Sequence, residues 1–395
     1  MAASVPAHLA WPFFSDTHRA LAAHAAAWVA GQRIDPADTD AACKAWVRAL
    51  GAAGLLRYTV PREWGGALAS LDSRALCVLR ETLAAHDGLA DFAFAMQGLG
   101  SGAITLGGGD ALRHHWLPRV AAGEAIAAFA LSEPAAGSDA GAMTTRAARV
   151  ADGWRIDGEK TWISNGGIAD FYCVFARTDA ASTGAKGISA FLVPARTPGL
   201  DVSARIELMS PHPIATVQLC GCVVPEDHVL GEVGAGFALA MRTLDIFRTS
   251  VAAAAVGFAR RALAETLAQA HGRAMFGATL GSQPLAQAII GDMATDLDAA
   301  ALLTYRAAWQ RDAQQGPTTA VAAMAKLAAT ELAHKVIDRA VQLHGGRGVR
   351  VGEVVERLYR DIRALRIYEG ATEVQRLLVG HEVLKAAQGA AHQST

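Results

Sequence analysis

Apolar residues recur at helical spacing from Asp16 to about Val120, as in Leu76, Leu79 and Leu83. Breaks fall at Gly65-Gly66 and at Gly107-Gly108-Gly109. From about Ala125 to Val224 the texture changes. Short apolar runs such as Phe171 to Phe175 and Ile188 to Val193 alternate with Gly, Asp, Asn and Pro turns, and Trp154 to Gly158 reads as a strand entering a turn. Such closely spaced turns suit a small antiparallel barrel or a sandwich. From about Gly236 the helical period returns, in segments Phe237–Gly272, Pro284–Gln314, Thr318–Leu343 and Thr372–Ala387, with Gly or Pro at each junction. The pattern predicts an α+β, mostly helical chain. Its domains are helical over 1–123, β over 124–234 and helical over 235–395.

Composition sharpens this in three ways. Alanine, the best intrinsic helix former, is abundant, which favours long helices. The 36 Lys plus Arg against 37 Asp plus Glu leave no basic excess for a polyanion, so no nucleic-acid partner is expected. The five cysteines (Cys43, Cys77, Cys173, Cys220, Cys222) form no C-x-x-C pair, so neither a metal site nor a disulfide framework is expected. They read as reduced thiols of a cytoplasmic protein. Met1 to Phe14 lacks a basic n-region and a long apolar core. The Ala-rich stretch Val251 to Phe258 is too short for a bilayer, so a soluble protein is expected.

Four segments carry candidate chemistry, and each has a plainer reading. Leu131-Ser132-Glu133 ends a strand and runs into a Gly137-Ser138 turn. That turn could hold a heterocycle or phosphate through exposed N–H groups, or be an ordinary strand-to-loop transition. Trp162 and Ser164 lie two apart, on one face if this is a strand; the indole either stacks on a flat ring or fills the core. Arg273 with Phe276-Gly277, and Gln342 with Gly345-Gly346, could approach a pyrophosphate, though Gly-Gly after a helix is also a simple stop. No strand precedes it, so this is not a dinucleotide-binding G-x-G-x-x-G. Glu369 precedes a Gly-x-Thr break and a new helix that Thr372 could cap, and it either enters a cavity or stays on the surface.

Taken together, LSEPAAGSDAGA, GEKTWISNG, HGGRGV, YRDIRALRIYEGATEVQR and GFALAMRTLDIFRTSVAAAAVGFARRAL resemble the acyl-CoA dehydrogenase family, from about Thr17 to Leu384. The resemblance implies an N-terminal helical domain, a middle antiparallel β-barrel and a C-terminal four-helix bundle. It implies FAD between barrel and bundle, and a homotetramer built as a dimer of dimers. Trp162 resembles the Trp that flanks the flavin, and Ser164 the hydroxyl on flavin N5, usually Thr. Leu131 and Ser132 match the pyrimidine edge, and Ser138 a position near the cofactor and the CoA pantetheine. Arg273, Phe276, Gln342, Gly345 and Gly346 resemble groups that a neighbouring subunit gives to FAD, and Thr372 and Glu373 contacts to its adenosine half. Asp245 and Arg248 match the LDxxR positions near CoA, with Tyr368 and Gly370 also on the substrate side. Glu369 matches the base that takes the α-proton. Where some subfamilies carry the base on the LDxxR helix, this chain has Phe247, which cannot take a proton.

The implied reaction is removal of the α-proton by Glu369 and of a β-hydride by flavin N5, giving a trans-2-enoyl-CoA, with electrons passed to an electron-transfer flavoprotein. The enolate would be stabilised by a ribityl hydroxyl and the Glu369 backbone N–H. Burial beside an acyl chain is expected to raise the Glu369 pKa from its usual value of about 4.3. Pro284 departs from the family's usual Gln, with Gln283 or Gln287 as substitutes, and the loop Ser210-Pro211-His212-Pro213-Ile214 replaces a more usual run. Phe92 or Phe94 could shorten the acyl pocket, favouring short, branched or cyclic groups, or both could face the core. An acyl-CoA oxidase is the alternative enzyme. Glu369 speaks against nitroalkane oxidase-like and monooxygenase-like members, and the balanced charge against a DNA-binding alkylation-protection member.

Overall fold

Helices account for most of the chain, as its alanine content favours. The computed structural model describes residues 6–314 and 318–393, with side chains described to residue 388. They divide into two compact units: the described parts of 1–31, 73–91 and 248–395, and residues 32–72 with 92–247.

The first unit contains α1 (Asp16–Ala30) and α3 (Ser73–His86) together with α7 (Pro284–Asp312), α8 (Thr319–His344), α9 (Val354–Leu365) and α10 (Thr372–Gln393), and part of α6 (Gly236–Gly272). α1 packs on α3, α3 on α7, α7 on α8, and α8 on both α9 and α10. Small residues dominate what these two helices bury: Ala300, Ala301, Thr304, Ala307 and Ala308 on α7, and Ala322, Ala323, Ala325, Ala329 and Ala333 on α8. Small side chains let the two backbones approach closely, at little side-chain entropy cost. α9 was not among the helices read from the pattern. It buries Val355, Leu358, Ile362 and Leu365, a helical stripe hidden in a charged stretch.

The second unit holds α2 (Thr39–Ala52), α5 (Asp110–Ala122), most of α4 (Gly88–Gly107) and an eight-stranded sheet. The strands are β1 (Ala127–Ala130), β2 (Arg146–Val150), β3 (Gly153–Ser164), β4 (Phe171–Arg177), β5 (Ile188–Pro194), β6 (Leu200–Arg205), β7 (Ile214–Val224) and β8 (Val229–Leu230). Their order is β6-β7-β3-β2-β4-β5-β8, with β1 beside β4. This corrects the antiparallel barrel expected above. The sheet is open, with edges at β6 and β8, and it is mixed, because β1 and β2 both meet β4 in parallel. Alternation along a strand reports which face is buried. It does not report the direction of the neighbour or whether the sheet closes. The all-apolar runs of β4 and β5 are buried on both faces, and Phe171, Phe175 and Phe191 are inaccessible to solvent.

Among the described residues no helix is long and apolar enough to cross a membrane, and no cluster of His, Cys, Asp and Glu could hold a metal ion.

Candidate active site

The chain leaves α9 at Leu365 and must reverse before α10 begins at Thr372. Several bonds fix that turn. Glu331 on α8 accepts from Arg366 Nε at 2.8 Å and from Thr372 Oγ1 at 2.7 Å, and Thr372 N–H donates to Arg366 O at 3.0 Å. The Thr372 hydroxyl is therefore spent on Glu331 rather than on capping its own helix. At the turn's apex Glu369 has φ 51° and Gly370 φ 92°. Among the described residues Glu369 is one of five non-glycine residues in the left-handed region, a conformation that costs about 1–3 kcal/mol and persists only where neighbours impose it. Two donors impose it here. Lys326 Nζ and Gln375 Nε2 both donate to Gly370 O, at 2.7 and 3.0 Å. A Cβ at Gly370 would lie 2.2 Å from Gln375 Nε2, so the turn requires glycine for space as well as for φ.

Glu369 retains partial exposure, yet its Oε2 is shut off from solvent and has no hydrogen-bond partner. A carboxylate oxygen so placed is a proton acceptor without a proton. Burial is the largest influence on Glu369 and raises its pKa; Asp91 also raises it, while Arg80, Lys326 and Arg248 oppose. The net result is a carboxyl whose pKa lies above the ordinary carboxylate range, as the sequence led us to expect. Arg80 and Asp91 form a buried bidentate pair, Nε–Oδ1 and Nη2–Oδ2 both 2.8 Å, and Arg80 Nη1 reaches Ser250 Oγ at 3.1 Å. Burial raises the Tyr368 phenol pKa, and the nearby Arg80 guanidinium opposes it. Of the other expected residues here, Glu373 is exposed on the first turn of α10, and Arg248 is buried on α6. Asp245, half-buried, lies three residues before Arg248 on the same helix.

A second group forms in the other unit. β3 bulges between Lys160 and Ile163, and this sets Trp162 at φ 60° with 58 % of its surface exposed while Ile163 is buried. The same-face argument for Trp162 and Ser164 assumed regular alternation, which the bulge breaks. The exposed indole nonetheless excludes the core-Trp reading. Thr161 N–H donates to Ser132 O at 3.0 Å, which places Leu131 and Ser132 beside the Trp162 segment. Beneath them Lys160, fully buried, donates to Glu133 Oε1 at 2.8 Å and to Leu131 O at 3.1 Å. Thr144 and Thr145 complete the shell around Glu133. Burial alone would raise the Glu133 pKa; Lys160 and these donors outweigh it and hold the carboxyl at about 2. Ser138 is exposed in the loop after β1. Phe94 is buried in the core, whereas Phe92 is half-buried and stacks on His212 at 4.6 Å, which gives the proline-flanked loop a definite contact.

The third group belongs to the first unit. Arg273 leads into a two-stranded hairpin of β9 (Ala274–Met275) and β10 (Ala278–Thr279), with Phe276 (φ 48°) and Gly277 (φ 77°) at its tip. The Phe276 ring is 88 % exposed. Gly345 ends α8, its N–H donating to Gln342 O, and a Cβ there would stand 3.2 Å from the Arg273 Nη1. Arg273, Gly346, His344, Arg347 and Gln269 line a cleft of about 690 Å³. Gln342 is exposed, and Gln287 is engaged with Gly281 O at 3.0 Å.

Sequence reasoning missed Lys326, Arg80, Gln375 and the Lys160–Glu133 pair. For Lys326 a signal existed: a lone cation on a face otherwise made of Ala322, Ala329, Thr330 and Ala333.

Comparison with known proteins agrees with this arrangement. The chain matches the acyl-CoA dehydrogenase N-terminal domain over residues 15–124, the middle domain over 128–221 and the C-terminal domain over 234–384. It is 40 % identical over 347 residues to the human mitochondrial short-chain specific acyl-CoA dehydrogenase, covering 87 % of this chain and 83 % of that one. Butyryl-CoA dehydrogenase from Megasphaera elsdenii superposes with a TM-score of 0.87 at 30 % identity, over 94 % of this chain and 99 % of that one. An acyl-CoA dehydrogenase from Bacillus anthracis, solved with FAD, gives a TM-score of 0.86 at 30 % identity, over 95 % of this chain and 68 % of that one. With all three domains matched in order, and with relatives of this identity and coverage, the chain belongs to the acyl-CoA dehydrogenase family of oxidoreductases.

Proposed function

We propose that this chain is an FAD-dependent dehydrogenase of short acyl-CoA thioesters, with Glu369 as the base that removes the α-proton. One observation carries the reading: a carboxylate on a left-handed turn, raised above its usual pKa, with one oxygen buried and unpartnered. An α-proton beside a thioester is weakly acidic, so its removal needs a base held in place rather than one that wanders. Glu369 takes that proton, and its own backbone N–H is the donor we assign to the thioester oxygen as charge develops there. Arg248 and Asp245 are assigned to the CoA side, with Tyr368, Gly370 and Ser138. The preference for short acyl groups rests on the short-chain and butyryl-CoA relatives and on the half-buried Phe92.

The residues present fit FAD. Trp162 offers an open ring face, Ser164 on the same strand and the Leu131–Ser132 segment bonded beside it offer polar groups, and the glycine at 345 leaves room for the Arg273 guanidinium. Thr372 and Glu373 are assigned to its adenosine half, and Phe276, Gln342 and Gly346 to the FAD of a neighbouring copy in a homotetramer. When bound, FAD supplies the two-electron acceptor for the β-hydride, with an electron-transfer flavoprotein as the next carrier. The bulged β3 holds Trp162 outward, and the Lys160–Glu133 brace keeps the Leu131–Glu133 segment against it. We assign the protein to the cytoplasm.

The test is Glu369→Gln. Anaerobic titration with butyryl-CoA should bleach the flavin of the parent enzyme and leave that of the variant oxidised, with FAD content unchanged. Turnover retained in the variant refutes the assignment.

A further inference from the structure

Lys326 sits in the middle of α8 and has no solvent exposure. A buried ammonium is costly unless it is paired or hydrogen-bonded, and cations are rarely enclosed without an acid in contact. The one hydrogen-bond acceptor that the described residues give it is Gly370 O, at 2.7 Å. The acids that favour its charge stand further off, Glu369 foremost, then Glu331 and Glu373, while Arg248 repels it. Three of its features therefore point the same way. Its position is enclosed, its bond goes to the residue after the base, and the strongest favourable charge it meets is the base itself.

From this geometry we propose that Lys326 is a positioning residue for proton abstraction: it clamps the Gly370 carbonyl so that the Glu369 turn keeps its left-handed form, and its charge favours the ionised carboxylate. The inference rests on Glu369 being the base. Glu369 requires neighbours to hold its positive φ, which Gly370 takes freely. Gln375 supplies a neutral second donor to the same carbonyl, so the clamp alone did not require a cation. Burial is the largest influence on Lys326 and draws its pKa from 10.5 to about 8, so it remains protonated at neutral pH and begins to lose its proton just above. The groups facing Glu369 are Arg80 on α3, Asp91 on α4, Arg248 on α6, Lys326 on α8 and the adjoining Tyr368. Lys326 is bonded to the turn's backbone just beyond the base.

The experiment compares the FAD-loaded parent with Lys326→Met and Lys326→Gln. Met keeps the stem and removes charge and donor; Gln restores a donor without charge. Each is assayed for the pH profile of kcat, for KM, and for exchange of the α-hydrogen into D2O using an acyl-CoA whose β-position is sulfur. That compound has no β-hydrogen to transfer, so exchange reports the proton step alone. In both variants the acid limb of the profile should move up by about one pH unit or more, because a nearby opposite charge has been lost. The transition near pH 8 should disappear. In Lys326→Met, kcat and exchange should also fall about 10–100-fold from misplacement of the base, with KM little changed, and Lys326→Gln should recover part of that fall. Profiles and exchange rates matching the parent in both variants overturn the inference. Glu369→Gln run alongside separates the failures: if it exchanges normally, the assignment of the base has failed; if it is inert and the Lys326 variants behave as parent, only the role of Lys326 has. A Met variant that loses FAD shifts the decision to Gln, whose profile settles the charge effect.

Discussion

Lys160→Met should destabilise the protein by about 3–5 kcal/mol, although the ion pair it breaks adds almost nothing to stability as a pair. Glu133 is 4 % exposed, and its pKa lies at about 2 against 4.5. At about 1.4 kcal/mol per pKa unit, its surroundings favour the carboxylate by about 3 kcal/mol. Lys160 shows the mirror image. Burial draws it from 10.5 to about 8, so its charged form is disfavoured by about 3 kcal/mol, Glu133 notwithstanding. The two effects oppose each other, and both contain the same Lys160–Glu133 attraction. Removing Lys160 alone leaves a buried carboxylate with only the Thr144 and Thr145 donors. Removing both charges, as Glu133→Gln with Lys160→Met, should bring the protein back to within about 1 kcal/mol of the parent. Thermal unfolding at pH 7, followed by circular dichroism, reads this as a fall of about 5 °C for the single variant and a near-parental midpoint for the double. Additive losses in the double variant would refute the reasoning, because they would mean that each group is stabilised by something other than its partner.

Three further outcomes are expected. Gly370→Ala should abolish most dehydrogenation while FAD content persists, because φ 92° is strained for alanine and its Cβ would displace Gln375; the measurement is single-turnover flavin reduction. The stability owed to Glu133 and Glu81 should be fully present above about pH 4.5 and be lost as pH drops toward 2. Glu133 and Glu81 both have folded pKa values near 2: burial pushes Glu81 up, but Arg260, His8 and the Tyr305 hydroxyl outweigh it, so acid titrations of the thermal midpoint should show their loss in that window. Phe94→Ala should cost about 3–5 kcal/mol as a core cavity, whereas Phe92→Ala should cost less and raise kcat/KM for longer acyl-CoAs relative to butyryl-CoA.

Periodicity located the long helices almost to the residue, since α6, α7 and α8 begin within one position of where Gly, Pro and the apolar repeat placed them. It missed α9, where charged residues mask the stripe, and it could not tell an open mixed sheet from a barrel. For the site, motifs singled out Glu369, Trp162 and Arg273, but not what surrounds them. Lys326 lies 43 positions before Glu369, and Arg80 and Asp91 lie on other helices again. Such partners are joined only by tertiary packing, and no local spacing encodes them. The bulge at Trp162 was invisible for a different reason: alternation assumes a regular strand, and the exposed indole stands where that regularity fails.

That ring has a consequence for engineering. A tryptophan at φ 60° is held against its own backbone preference, and glycine would occupy the same bend without strain. Any screen that selects this protein for heat tolerance without its cofactor will therefore be drawn toward glycine at position 162. It would gain robustness by discarding the ring face that we assign to the flavin. Selection should be run on the loaded enzyme, where the strain and the stacking it makes possible are weighed together.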